Sequence, residues 1–228
     1  MATYLDIERW PRRESFQFFR GFDKPYFNVC VRLDAAPLKA AVRASGTGSF
    51  MLAYHFIALR IANQHEPFRL RLEGGRVRVH DVLHGGITVL RDDDSFGFAY
   101  LPYDTDWARF CARARPVLEA ARARSASFEP RPDDTGVIHC TTLAKVPFTS
   151  FSHARNWGRE DSVPKLAFGR ADREGDRLWL PFSVEVHHAL MDGVHVGRYV
   201  EAMEQAFAEP QTWLGGTAVG NTVLSPLR

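Results

Sequence analysis

The stretch from Leu178 to Gly193 constrains the chain most, because its pattern changes from one kind of secondary structure to another within a few residues. Leu178, Leu180, Phe182, Val184 and Val186 alternate with other residues, so a strand would put them on one face, with His188 on that same face by parity. His187 falls on the opposite face with Ser183 and Glu185. Asp192-Gly193 then breaks the strand, and Val194, Tyr199, Val200, Met203 and Phe207 recur at roughly helical spacing. A strand thus delivers one imidazole to a mostly apolar surface, and a carboxylate four residues later stands at a helix start. Taken singly, His188 reads as a packing residue and Asp192 as a helix cap. Together they suit a general base whose basicity is set by dry surroundings. A metal site built from His187, His188, Asp192 and His195 has neither an HExxH nor a cysteine pair to support it, so no metal is expected.

The words of the motif narrow the chemistry. Residues 187–198, HHALMDGVHVGR, resemble the HHxxxDG signature of coenzyme A-dependent acyltransferases, and specifically the type A chloramphenicol acetyltransferases. A second match lies near the start, where residues 10–19 read WxRRExFxFF. The resemblance implies that Arg12 pairs with Asp192, which would make the carboxylate an orienting strut for the loop bearing His188. A bidentate fork between guanidinium and carboxylate can do this. The resemblance also implies acetyl-CoA as co-substrate, a small-molecule alcohol such as chloramphenicol as acceptor, and a homotrimer with active sites at its subunit interfaces.

Moving an acetyl group from a thioester to an alcohol needs a base for the hydroxyl proton and a donor for the tetrahedral oxyanion. By the resemblance His188 is the base, and Thr141 stands where the family has a serine hydroxyl for the oxyanion. Read only as strand residues, Thr141 and Thr142 need no such role. The resemblance implies an acceptor pocket lined by Phe18, Phe19, Phe27 and Phe96, although each of them, taken singly, reads more readily as core. Three departures stand out. His153 replaces an aliphatic pocket residue, Ala167 a small hydroxyl residue, and Lys145 a tryptophan on the coenzyme side. A buried histidine in an apolar pocket is costly unless something satisfies it, so a more polar acceptor is the second hypothesis. A third is a trimeric small-molecule binder without catalysis, against which the joint presence of His188, Asp192 and Arg12 argues. Dihydrolipoyl acyltransferase cores share HHxxxDG but usually come with lipoyl modules on long linkers.

The remainder of the chain is read in the same way. Helices are expected around residues 10–20, 38–43, 50–64 and 107–123, the last with Pro116 as a possible kink. Strands are expected over 25–33, 87–90 and 137–146, with hairpins across Glu73-Gly74-Gly75-Arg76 and across Asp172 to Asp176. Asp92 to Phe96 reads as a solvated turn and 128–135 as a loop. This order predicts an α/β fold of the α+β type, a two-layer sandwich with a large mixed, partly antiparallel sheet covered by helices. With 228 residues, 45% of them hydrophobic, one domain over 1–228 is expected. The resemblance runs from about 10 to 207, and 209–228 reads as a loose extension. A net charge of +2 gives no reason to invoke nucleic acid. No apolar run approaches a membrane span, and no signal peptide is evident. Cys30, Cys111 and Cys140 are odd in number and far apart, which fits buried thiols in a cytoplasmic protein.

Overall fold

A computed structural model describes residues 3–123, 134–155 and 160–215. In chain order its first elements are β1 (Thr3–Tyr4), α1 (Arg13–Phe19), β2 (Tyr26–Asp34), α2 (Ala36–Ser45) and α3 (Phe50–Gln64). Next come β3 (Leu70–Glu73), β4 (Arg76–Val79), β5 (His84–Leu90), β6 (Phe96–Leu101) and α4 (Trp107–Ala123). The last are β7 (Val137–Thr142), β8 (Lys165–Phe168), β9 (Asp172–Glu174), β10 (Arg177–His187), α5 (Gly193–Ala208) and α6 (Gln211–Leu214).

The main sheet has seven strands in the order β2-β10-β8-β7-β5-β6, with β9 paired to β10. It is mixed, since β7 runs parallel to β5 and β8 while the other pairs are antiparallel. Alternation fixes what each face carries. Leu180, Phe182, Val184 and Val186 of β10 join Leu166 and Phe168 of β8 and Ile138 and Cys140 of β7 in one apolar core. Buried residues of α2, α3, α4 and α5 belong to that same core. α3 explains why the helices cover this face: ten of its residues are buried, so it is apolar nearly all round. Ser49 caps it, accepting from the Leu52 N–H at 3.2 Å.

The opposite face is polar. Cys30, Ser183, Ala167 and Thr141 lie side by side across β2, β10, β8 and β7. The next row holds Asn28, Glu185, Lys165 and His139, and the row at the strand end holds Tyr26 and His187.

Several boundaries differ from expectation. β6 is a strand that the sequence pattern did not announce, because Gly97 weakens it and Phe96 follows directly on an acidic turn; Asp94 there has φ 60°. β7 stops at Thr142, four residues early, because Val146 N–H turns back to the Leu143 carbonyl at 3.0 Å. Phe68 sits in a short 3-10 turn ahead of the first hairpin. In α5 Val194 is 55% exposed and Val196 takes its place in the core. Residues from Glu209 onward begin as a docked turn: Arg60 stacks over the Trp213 ring at 5.0 Å and donates to its carbonyl at 2.9 Å. Residues 216–228, and most of the expected loop at 128–135, lie outside the described residues. Arg71, which no sequence pattern marks, is fully buried and donates to the carbonyls of Phe68, Leu70, Thr135 and Val137. Burial pushes its pKa down to about 9.

Candidate active site

His188 lies one residue past the end of β10, in the turn that leads into α5. Its N–H donates to the Pro25 carbonyl at 2.7 Å. Its imidazole stacks flat on Phe19, with centroids 3.7 Å apart and planes within 8°. Phe27 approaches at 4.8 Å with its ring tilted. The side chain is 32% exposed, and Nδ1 is enclosed without a hydrogen-bond partner. Nε2 is therefore the nitrogen that an acceptor can reach.

Arg12, at the head of α1, holds this turn from 180 residues away. Its Nε donates to Asp192 Oδ2 at 2.7 Å and its Nη2 to Oδ1 at 2.5 Å, a bidentate fork. Its Nη1 donates to the Ala189 carbonyl at 3.0 Å and Nη2 also to the His188 carbonyl at 3.1 Å. The fork from Arg12 holds the Asp192 carboxyl below the usual carboxylate range, with the Arg12 charge adding to it. The nearer Asp192 oxygen is 3.4 Å from His188 Nδ1. Because both carboxylate oxygens are engaged by Arg12, Asp192 is a poor proton acceptor.

Asp192 is also the N-cap of α5, and its backbone N–H donates to His195 Nδ1 at 2.9 Å. Burial, then the nearby Arg12 charge, lowers the His195 pKa. A neutral ring is what accepting at Nδ1 requires. In the sequence His195 stands only within the motif and as a rejected metal ligand. The signal that places it is its spacing of three residues after the cap, the geometry of a capping box.

The expected site residues fall into two groups. Arg12, Phe19, Phe27, His188 and Asp192 come together, and Phe18 packs edge-on against Phe19 at 5.0 Å while being 64% exposed. Thr141 and Phe96 do not join them. Thr141 shares a row with Ser183, so it lies about 16 Å down the strand from His188 and about 10 Å across two strands. Phe96 stands on β6, four strands from β10 and 40% exposed.

His153 packs elsewhere, against a buried charge cluster. Its N–H donates to Glu185 Oε2 at 3.1 Å, and Phe151 meets its ring edge-on at 4.7 Å. Arg155 Nε donates to Glu185 Oε1 at 2.7 Å, and its guanidinium also pairs with Asp161 at 3.1 Å. Lys165 Nζ donates to Asp161 at 2.8 Å. Nothing in the sequence pattern pointed to this quartet, whose members come from a loop and two strands. Burial alone would raise the Glu185 pKa, but hydrogen bonds from His153 and Arg155 outweigh it and lower it from 4.5 to about 2. A depressed carboxylate adds stability above its unfolded pKa and loses it as pH falls through the folded one. Stability is therefore expected to drop between about pH 4.5 and 2. Glu185→Gln should flatten that acid limb in urea titrations run at several pH values; an unchanged limb would assign acid sensitivity elsewhere.

The mixed sheet ends in an HHxxxDG turn, clamped by an arginine and flanked by a long helix, and that motif is the one that resembles the signature of coenzyme A-dependent acyltransferases. The fold recurs in the dihydrolipoamide acetyltransferase of Azotobacter vinelandii, with a TM-score of 0.63 at 16% identity over 88% of each chain. This chain belongs to the chloramphenicol acetyltransferase family, whose family model matches residues 1–204. A chloramphenicol acetyltransferase from Streptomyces acrimycini is 32% identical over 213 residues, 92% of this chain and 96% of the relative. Chloramphenicol acetyltransferase 3 of Escherichia coli is 27% identical over 89% of this chain and 95% of its own length. A solved chloramphenicol acetyltransferase superposes with a TM-score of 0.83 at 27% identity, covering 90% of this chain and 99% of the other. No helix among the described residues is long and apolar enough to cross a membrane, and those residues contain no cluster able to hold a metal ion.

Proposed function

We propose that the chain is an acetyl-CoA-dependent O-acetyltransferase that acetylates a hydroxyl of chloramphenicol, with His188 as general base. One observation carries this: an imidazole whose backbone is pinned on every side while its side chain stays about a third exposed, with Nδ1 enclosed and without a hydrogen-bond partner. His188 takes the proton of the acceptor hydroxyl as its oxygen attacks the thioester carbonyl. The resulting oxyanion accepts a hydrogen bond from the Thr141 hydroxyl, the carbon–sulfur bond breaks, and the proton passes from His188 to the departing thiolate. Arg12 and Asp192 fix the turn and exchange no proton.

His188 and Thr141 of one chain are about 19 Å apart by sheet geometry, too far to act on one acyl group. A homotrimer in which His188 of one copy meets Thr141 and Phe96 of its neighbour resolves this, and accounts for the exposure of Phe18 and Phe96. We read residues 1–228 as one catalytic domain working in the cytoplasm, where the unpaired Cys30, Cys111 and Cys140 stay reduced.

A second reading keeps the chemistry and changes the acceptor to another hydroxylated small molecule. The charge quartet of Arg155, Asp161, Lys165 and Glu185 favours it, lying one row from Ala167 and Thr141 beside His153. Purified protein with acetyl-CoA, with and without chloramphenicol, tests both by thiol release. Release that depends on chloramphenicol supports the first reading, and coenzyme binding without release supports the second. His153→Leu is expected to tighten chloramphenicol binding by up to about tenfold, the scale of a single methylene contact. Unchanged affinity would place His153 outside the acceptor site.

A further inference from the structure

The geometry points to His187, the other histidine of the pair, as a positioning residue that sets the plane of the turn bearing His188. The inference rests on the reading of His188 as base. His187 is the last residue of β10, 5% exposed, on the polar face of the sheet. Its Nδ1 accepts the Ala189 N–H at 3.2 Å. Its own carbonyl accepts from Leu190 N–H at 2.9 Å and Met191 N–H at 3.1 Å. The Ala189 carbonyl, as described above, belongs to Arg12 Nη1. The peptide groups on both sides of Ala189 are therefore held: the one shared with His188 by His187 and Arg12 Nη2, the next by Arg12 Nη1. With His188 N–H on the Pro25 carbonyl, all four backbone polar groups of His188 and Ala189 have named partners.

Arg12 can only donate, so it fixes carbonyls; a neutral imidazole supplies the acceptor that the remaining N–H needs. The ring is itself held. Tyr26 meets it edge-on at 5.1 Å, and the Arg155 guanidinium lies over Tyr26 at 4.2 Å. Arg155 is anchored in turn by Glu185 and Asp161. Burial, reinforced by the Arg155 charge, lowers the His187 pKa to about 4, which keeps Nδ1 free to accept at neutral pH. The buried quartet and the catalytic turn are thus joined through two aromatic rings.

The test compares His187→Leu, which removes the acceptor, with His187→Asn, whose Oδ1 occupies the place of Nδ1. Hydrogen exchange at the Ala189 amide of the full-length protein is read first, because it needs no substrate. His187→Leu is expected to speed that exchange at least about tenfold, with His187→Asn close to the parent. With acetyl-CoA and chloramphenicol, kcat of the Leu variant should fall about a hundredfold with KM little changed, the scale of an ångström-sized misplacement. The Asn variant should recover most of that loss. Native exchange at Ala189 in the Leu variant, or equal defects in Leu and Asn, would overturn the assignment. If His187→Leu does not fold, His187→Gln replaces it, since its amide reaches the Nε2 position and leaves Nδ1 without a substitute. Turnover surviving in His188→Ala would remove the base while leaving the exchange comparison to decide His187.

Discussion

His188→Ala is expected to remove acetyl transfer, by about 10²–10⁴-fold or more, while the protein melts close to its parent. The backbone of the turn does not depend on the imidazole: Pro25, His187 and Arg12 hold it through main-chain groups. What the substitution takes away is the ring stacked on Phe19, a contact worth about 1 kcal/mol. Thiol release and a thermal melt of the same preparation measure both quantities. Substantial residual turnover would take His188 out of the base role.

Arg12→Ala should behave differently, losing stability and activity together. It deletes four hydrogen bonds and leaves a half-buried carboxylate and two carbonyls without their donor. A cost of about 2–4 kcal/mol is expected from such unpaired groups. For a chain of this length that lowers the melting temperature by about 4–16 °C. Release of the His188 turn should cost about a hundredfold in kcat. Arg12→Lys should rescue little, because an ammonium cannot fork onto both carboxylate oxygens and reach the carbonyls as well. Asp192→Asn, which keeps shape and loses charge, should fall between. Activity lost with an unchanged melt would mean that the pair acts directly in the chemistry.

The parts of the fold that could be read in the sequence are those where one residue type repeats at the right period. β10 announces itself because every second residue from Leu178 to Val186 is apolar, and α3 because apolar residues fill it from Phe50 to Ile61. β6 escaped because its buried face carries Gly97 and Ala99 beside Leu101, small residues that signal little, while its alternating aromatics lie on the less buried face next to an acidic turn. The alternation that suggested a longer β7 was broken by a turn at Leu143–Val146, a contact no propensity encodes.

For the site, the motif carried His188 and Asp192, and the resemblance carried Arg12. The two roles that were missed, His187 and His195, both accept backbone N–H bonds, a function set by a ring's orientation and not by its place in a pattern. The separation of Thr141 from His188 was equally invisible before strand order was known, since sequence spacing says nothing about which row of a sheet a residue joins.

The Arg12–Asp192 fork also bears on how the protein comes to life. It joins two residues 180 positions apart, so it closes a loop that takes in most of the chain. Contacts of that span are slow to form compared with the local pairing of β5 with β6 or β3 with β4. A chain still being synthesised has no working turn until α5 has emerged to meet the first helix. In refolding, enzyme activity should therefore lag behind the local hairpins β3–β4 and β5–β6, and keep pace with the similarly distant pairing of β2 with β10. Maturation of this catalyst is a matter of its first helix finding the start of α5.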